Sequence, residues 1–80
     1  MLVVVGADPG VVADVLGRLG DEEVVVLDGS SGRLHALLGE LSDPRLWPMI
    51  GDAEVIPLPD DSADEILGAP ASPEVARVIR

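Results

Sequence analysis

Two short runs in this chain, Met1–Val5 and Val24–Leu27, are built almost wholly from aliphatic residues, and most of these are valine. A run without polar alternation has no face to offer water. Each therefore reads as a strand buried on both sides, the kind found inside parallel sheets. Between them Val11, Val12, Val15, Leu16 and Leu19 recur at three- and four-residue spacing. That spacing predicts an amphipathic helix, closed by Gly20.

The pattern then repeats. Asp28-Gly29-Ser30-Ser31-Gly32 reads as a loop, and Leu34, Leu37, Leu38 and Leu41 mark a second helix stopped by Ser42-Asp43-Pro44. Leu46–Ile50 is a third apolar run, but it contains Pro48. Proline has no N–H for a ladder, so this strand belongs at a sheet edge. An acidic, proline-rich connection leads to a fourth strand over Ala63–Leu67. Ser72-Pro73-Glu74 opens a last helix with an N-cap serine, proline at its first position and an acid near the positive end of the dipole. Arg77 and Arg80 fall at the negative end.

Strands and helices alternating in this way predict a small Rossmann-like three-layer sandwich. Right-handed crossovers give a parallel sheet of about four strands in the order 3-2-1-4, with the Pro48 strand outermost. Residues 1–80 form one domain. A domain of that size buries about 60–65% of its unfolded surface and is only marginally stable as a monomer.

Five arginines, no lysine and fifteen acids give a net charge of −10. Such a surface repels phosphate backbones and anionic lipid, which argues against direct nucleic-acid or membrane binding. Solubility is the economical reading of the charge. No cysteine is present, so disulfides and thiolate metal sites are excluded. No apolar run approaches a membrane span and no signal peptide opens the chain, so a cytoplasmic location is expected. Trp47, the only aromatic residue, reads as a core or interface anchor. His35 reads as a boundary residue with no partner cluster. Asp60, Asp61, Asp64 and Glu65 lack calcium-loop spacing and read as a solvated turn, so no metal site is expected.

Three segments carry the chemistry. Val3-Val4-Val5-Gly6-Ala7-Asp8-Pro9-Gly10 is a strand, a glycine turn and a helix start, where backbone N–H groups can approach a ligand. Asp8 disfavours a dinucleotide there. Two like charges ~4 Å apart cost about 4 kcal/mol at an effective dielectric of about 20, so a pyrophosphate is repelled. Asp28 ends the second strand, followed by Gly29, and an acid at that place can accept both hydroxyls of a ribose. The third segment is Gly51-Asp-Ala-Glu-Val-Ile-Pro-Leu-Pro-Asp-Asp-Ser-Ala-Asp-Glu-Ile-Leu67.

That third segment closely resembles the run G-D-A-E-x-L-P-F-P-D-x-S-F-D of class I S-adenosylmethionine (SAM)-dependent methyltransferases, of the type 11 kind. The first segment resembles the family's h-h-D-h-G-x-G-x-G, with Gly6 and Gly10 as the outer glycines. Val4 stands at the family's acid and Asp8 at its middle glycine. The resemblance implies a site for SAM or S-adenosylhomocysteine formed by Gly6, Ala7, Asp8, Gly10, Asp28, Gly29, Asp52 and Ala53. Within it Asp52 would accept from the adenine amino group, and Ala53 would present a backbone N–H to the ring. Pro73–Arg80 resembles the family's helix that ends in A-R-V-L-R. Only 13 residues follow Leu67, so the resemblance implies the cofactor half of the fold, with no catalytic residue assigned. Catalysis is then expected only with a completing partner or second subunit, such as a homodimer across the 63–67 strand edge. The alternatives are an interaction module that kept the fold without the ligand, and a fragment of a longer gene product.

Overall fold

A computed structural model describes all 80 residues. The elements run β1 (Leu2–Val5), α1 (Pro9–Arg18), β2 (Val24–Asp28), α2 (Ser31–Glu40), β3 (Leu46–Ile50), β4 (Glu65–Leu67) and α3 (Pro73–Val78). The four strands form one sheet in the order β3-β2-β1-β4, and every pairing is parallel. The expected sheet order is therefore observed.

Alternate residues of the sheet feed two separate cores. Leu2, Val4, Val24, Val26 and Leu46 point to one face, where Val12, Val15 and Leu16 of α1 and Leu34 and Leu37 of α2 cover them. Val3, Val25 and Leu27 point to the other, beneath Val78 of α3 together with Ile56 and Ala63. This is why β1 and β2 carry no polar alternation: both of their faces are dry. Leu27 is fully buried. Truncating a leucine in that position to alanine costs about 2–5 kcal/mol, a large share of the stability of so small a domain.

Pro48 occupies the edge strand for a reason visible in the ladder. Val24 N–H bonds the Arg45 carbonyl, and Gly51 N–H bonds the Asp28 carbonyl. Odd-numbered residues of β3 thus face β2, and Pro48 sits in the outward set, where its missing N–H removes no ladder bond.

Several boundaries differ from expectation. The second helix starts at Ser31, because the Ser30 hydroxyl accepts the Arg33 N–H and caps it. Ser31 and Gly32 are therefore helical, where the sequence suggests loop. The fourth strand is shorter than 63–67. Ala63 instead bridges Ile79 in parallel, donating to the Val78 carbonyl and accepting from the Arg80 N–H. The first helix stops at Arg18, and Arg45 reaches over its end to donate to the carbonyls of Leu16, Leu19 and Gly20 at 2.7–3.1 Å. Those are carbonyls left without helical partners. Trp47 is 53% exposed, which corrects its reading as a core residue. It lies on the α3 face of the sheet, but at the β3 edge, away from the strands that α3 covers. No helix is long and apolar enough to cross a membrane.

Candidate functional site

The carboxyl ends of β1, β2 and β3 bring the three segments together. Gly6 N–H donates to the Leu27 carbonyl at 2.7 Å, and Gly51 N–H to the Asp28 carbonyl at 3.3 Å. Between these bonds the Asp28 side chain crosses the strand ends. Its Oδ2 accepts the Ala7 N–H at 2.9 Å and its Oδ1 accepts the Ser30 N–H at 2.9 Å. Asp28 is the one charged residue in the buried set, 8% exposed. The Ala7 and Ser30 amides, with Arg33 3.5 Å away, hold its carboxyl below the ordinary aspartate range despite burial. It is thus a fixed anion at the rim of the sheet. Each carboxylate oxygen carries two lone pairs, so capacity for a further donor remains.

At the first turn Gly6 has φ of +107°, a conformation that glycine adopts without strain, and the space where a Cβ would project is open. Asp8 is the N-cap of α1. Its Oδ1 accepts from Gly10 N–H at 2.9 Å and Val11 N–H at 3.4 Å. The helix start is thereby occupied by the chain's own carboxylate, and the charge that disfavours a pyrophosphate stands at that point. Val4, at the place of the family's acid, is 1% exposed within the α1–α2 core and offers no acceptor to a ligand. Gly29 has open space around it.

The 52–55 turn closes on itself. Asp52 and Val55 exchange backbone hydrogen bonds at 3.1 and 3.2 Å. Asp52 Oδ1 also accepts the Glu54 and Val55 N–H groups at 2.8 and 3.0 Å. Two groups are left over: Asp52 Oδ2 and the Ala53 N–H make no hydrogen bond within the chain. Gly51 must be glycine, since a Cβ there would lie 2.7 Å from the Val55 carbonyl oxygen and 3.0 Å from Pro57 Cδ.

The structure thus gathers Gly6, Ala7, Asp28, Gly29, Asp52 and Ala53 at the carboxyl ends of β1, β2 and β3, with Asp8 and Gly10 at the adjoining helix start. Sequence reasoning missed the residues that hold the third segment. Ser72 Oγ donates to the Ala53 carbonyl at 3.1 Å. Glu74 Oε2 accepts the Ile56 N–H at 2.9 Å. Arg77 donates to the Ile56 and Leu58 carbonyls, both at 2.9 Å, and pairs with Asp60 at 2.8 Å and Glu74. The hydrogen bonds from Arg77 and Ile56 pull the Glu74 carboxyl down to about 2. The Glu74–Arg77 spacing of three on a helix was the only local signal available. One further acid of the connection also meets cations: Asp64 bonds the Met1 amino group at 2.7 Å and lies 3.4 Å from Arg80.

Three solved structures share this fold over 99% of the chain. One is the methyltransferase component, itself a candidate enzyme, of a complex with the Trm112 methyltransferase activator from Haloferax volcanii, 25% identical with a TM-score of 0.82. Another is a candidate S-adenosyl-L-methionine-dependent methyltransferase from Methanococcus maripaludis, 22% identical with a TM-score of 0.79. The third is the YcgJ protein from Bacillus subtilis, 23% identical with a TM-score of 0.73. The present chain spans 40%, 42% and 39% of their respective lengths. No family model and no curated protein matches the sequence. The chain therefore has the Rossmann-like fold of SAM-dependent methyltransferases, and it corresponds to a piece of that fold.

Proposed function

We propose that this chain forms the cofactor-binding portion of a SAM-dependent methyltransferase, holding SAM or S-adenosylhomocysteine across the ends of β1, β2 and β3. The observation that carries the reading is the pair left over at the third strand. Asp52 Oδ2 is an acceptor and Ala53 N–H a donor, neighbours in the chain and without partners in it. Adenine presents the complement, an exocyclic amine beside a ring nitrogen that accepts. Asp28 supplies the fixed anion for ribose hydroxyls one strand away, and the open Gly6 turn leaves room for the rest of the ligand. The capped start of α1 supports a ligand without phosphates.

When bound, SAM supplies a methyl group on a sulfonium, which an acceptor takes by in-line displacement. Such chemistry depends chiefly on positioning. The residues of this chain bind and orient the nucleoside; none of them is assigned a proton transfer. Methylation also needs an acceptor wall, which under this proposal a partner or second subunit supplies, in keeping with the H. volcanii neighbour, a candidate methyltransferase in complex with an activator. Calorimetry with S-adenosylhomocysteine tests the reading: one-site binding that weakens in Asp52→Ala supports it, and absence of heat removes it.

A second reading rests on the outer edge of β4. Asp64 N–H bonds the Met1 carbonyl, which turns the main-chain groups of Glu65 and Leu67 outward, where no residue of the chain pairs with them. Ala63 is not part of this free edge, because Val78 and Arg80 already pair with it. An unpaired edge is a template for another strand. A second copy joined there would give a continuous sheet and an interaction module that needs no ligand. Light scattering that finds a dimer, lost on replacing Leu67 with proline in a protein that still folds, supports this reading; a monomer at high concentration excludes it.

A further inference from the structure

The turn that carries the proposed adenine edge closes on itself through Asp52, Glu54 and Val55, but those bonds do not by themselves fix where the turn sits on the domain. Residues 53–58 form neither helix nor strand, and Pro57 and Pro59 prevent any regular ladder there. What ties them to the rest of the domain is one side of α3, through four hydrogen bonds from three side chains. Ser72 holds the Ala53 carbonyl, Glu74 the Ile56 N–H, and Arg77 the Ile56 and Leu58 carbonyls. Each bond spans 18 to 21 residues of chain. Ile56 is buried beneath them, 3% exposed, and anchors the connection in the core shared with Val78.

We propose that Ser72, Glu74 and Arg77 are positioning residues that set the geometry of the Asp52–Ala53 edge, and through it the preference for adenine over other purines. The inference rests on the cofactor reading above. None of the three offers its charge to the ligand; each acts through the backbone of residues 53–58. A guanidinium is suited to this task, since its planar fork of five donors binds two carbonyls and two carboxylates at once, whereas an ammonium has only three donors. With the clamp released, the turn that carries Asp52 Oδ2 and Ala53 N–H would no longer be held at a fixed place relative to the strand ends. An inosine base, which reverses the donor and acceptor at the same ring positions, would then be refused less strongly.

The test compares affinities for S-adenosylhomocysteine and S-inosylhomocysteine in the wild-type chain, Arg77→Gln and Ser72→Asp. The second variant keeps a helix-capping acceptor for the Val75 N–H but removes the hydroxyl that donates to Ala53. Circular dichroism establishes which variants fold, and Ser72→Asp is the one read if Arg77→Gln does not. The wild-type chain is expected to prefer the adenine ligand by about tenfold or more, equivalent to about 1.4 kcal/mol. The folded variant is expected to lose most of that ratio. A general loss of stability would weaken both ligands alike and leave the ratio intact. A folded variant that keeps the wild-type ratio overturns the positioning role while leaving the cofactor reading standing. A wild-type chain that binds neither ligand overturns both.

Discussion

Asp28 Oδ2 accepts the Ala7 N–H at 2.9 Å from a position twenty-one residues further along the chain. With Oδ1 on the Ser30 N–H, one carboxylate ties the turn after β1 to the turn after β2. The pairing is structural and, under the proposed function, also places the anion that faces a ribose.

Asp28→Asn separates those tasks. The amide keeps one acceptor and turns an NH2 group toward the other backbone N–H, which is left without a partner. Loss of a buried hydrogen bond of this kind costs about 1–3 kcal/mol. A lower urea midpoint followed by circular dichroism is the expected outcome, and a midpoint equal to wild type would show that the bond carries no weight.

Acid should weaken the fold through the two carboxylates most strongly held by arginine. Hydrogen bonds from Arg77 hold Glu74 at about 2 against an ordinary 4.5. Those from Arg45 hold Asp43 at about 2 against 3.8. A depressed folded pKa contributes stability that is complete above the unfolded value and disappears as pH falls through the folded one. The window is therefore pH 4.5 down to about 2. Discharge of the other acids relieves repulsion in a chain of net charge −10 and opposes the trend. The clean comparison is Glu74→Gln, whose urea midpoint should fall less steeply than wild type across that window. Parallel curves would contradict the pairing.

Glycines divide by what surrounds them. A Cβ on Gly68, where φ is +80°, would sit 2.6 Å from the Val5 carbonyl oxygen. Gly68→Ala should therefore destabilise the fold by at least about 1–2 kcal/mol. Gly17 and Gly39 are exposed helical positions with open space around them. Alanine at either should add about 0.5–1 kcal/mol. Thermal melts of the three variants check both signs.

Much of the fold was legible because its causes are local. The valine runs of β1 and β2, the outward proline of β3 and the Ser72-Pro73 start of α3 each declare their environment in their own residues. The site's strand-end acids were legible for the same reason. The clamp from α3 was not, because Ile56 and Arg77 lie twenty-one residues apart and neither position shows the other. The core half of the Trp47 reading failed in the opposite way. The residue's composition suits a core, and only the reach of α3 determines that it stays half in water.

Trp47 is also the chain's only aromatic reporter. Its fluorescence should resemble that of solvated indole and be readily quenched by acrylamide. Blue-shifted, quencher-resistant emission in the isolated chain would contradict the exposed β3 edge.

Binding of the adenosyl ligand tests the proposed function most directly. Titration of S-adenosylhomocysteine into the purified chain by calorimetry should give a one-site isotherm, weakened in Asp52→Ala, with a ligand-dependent rise in thermal midpoint. No heat and no thermal shift at millimolar ligand, from a chain shown to be folded, would contradict it.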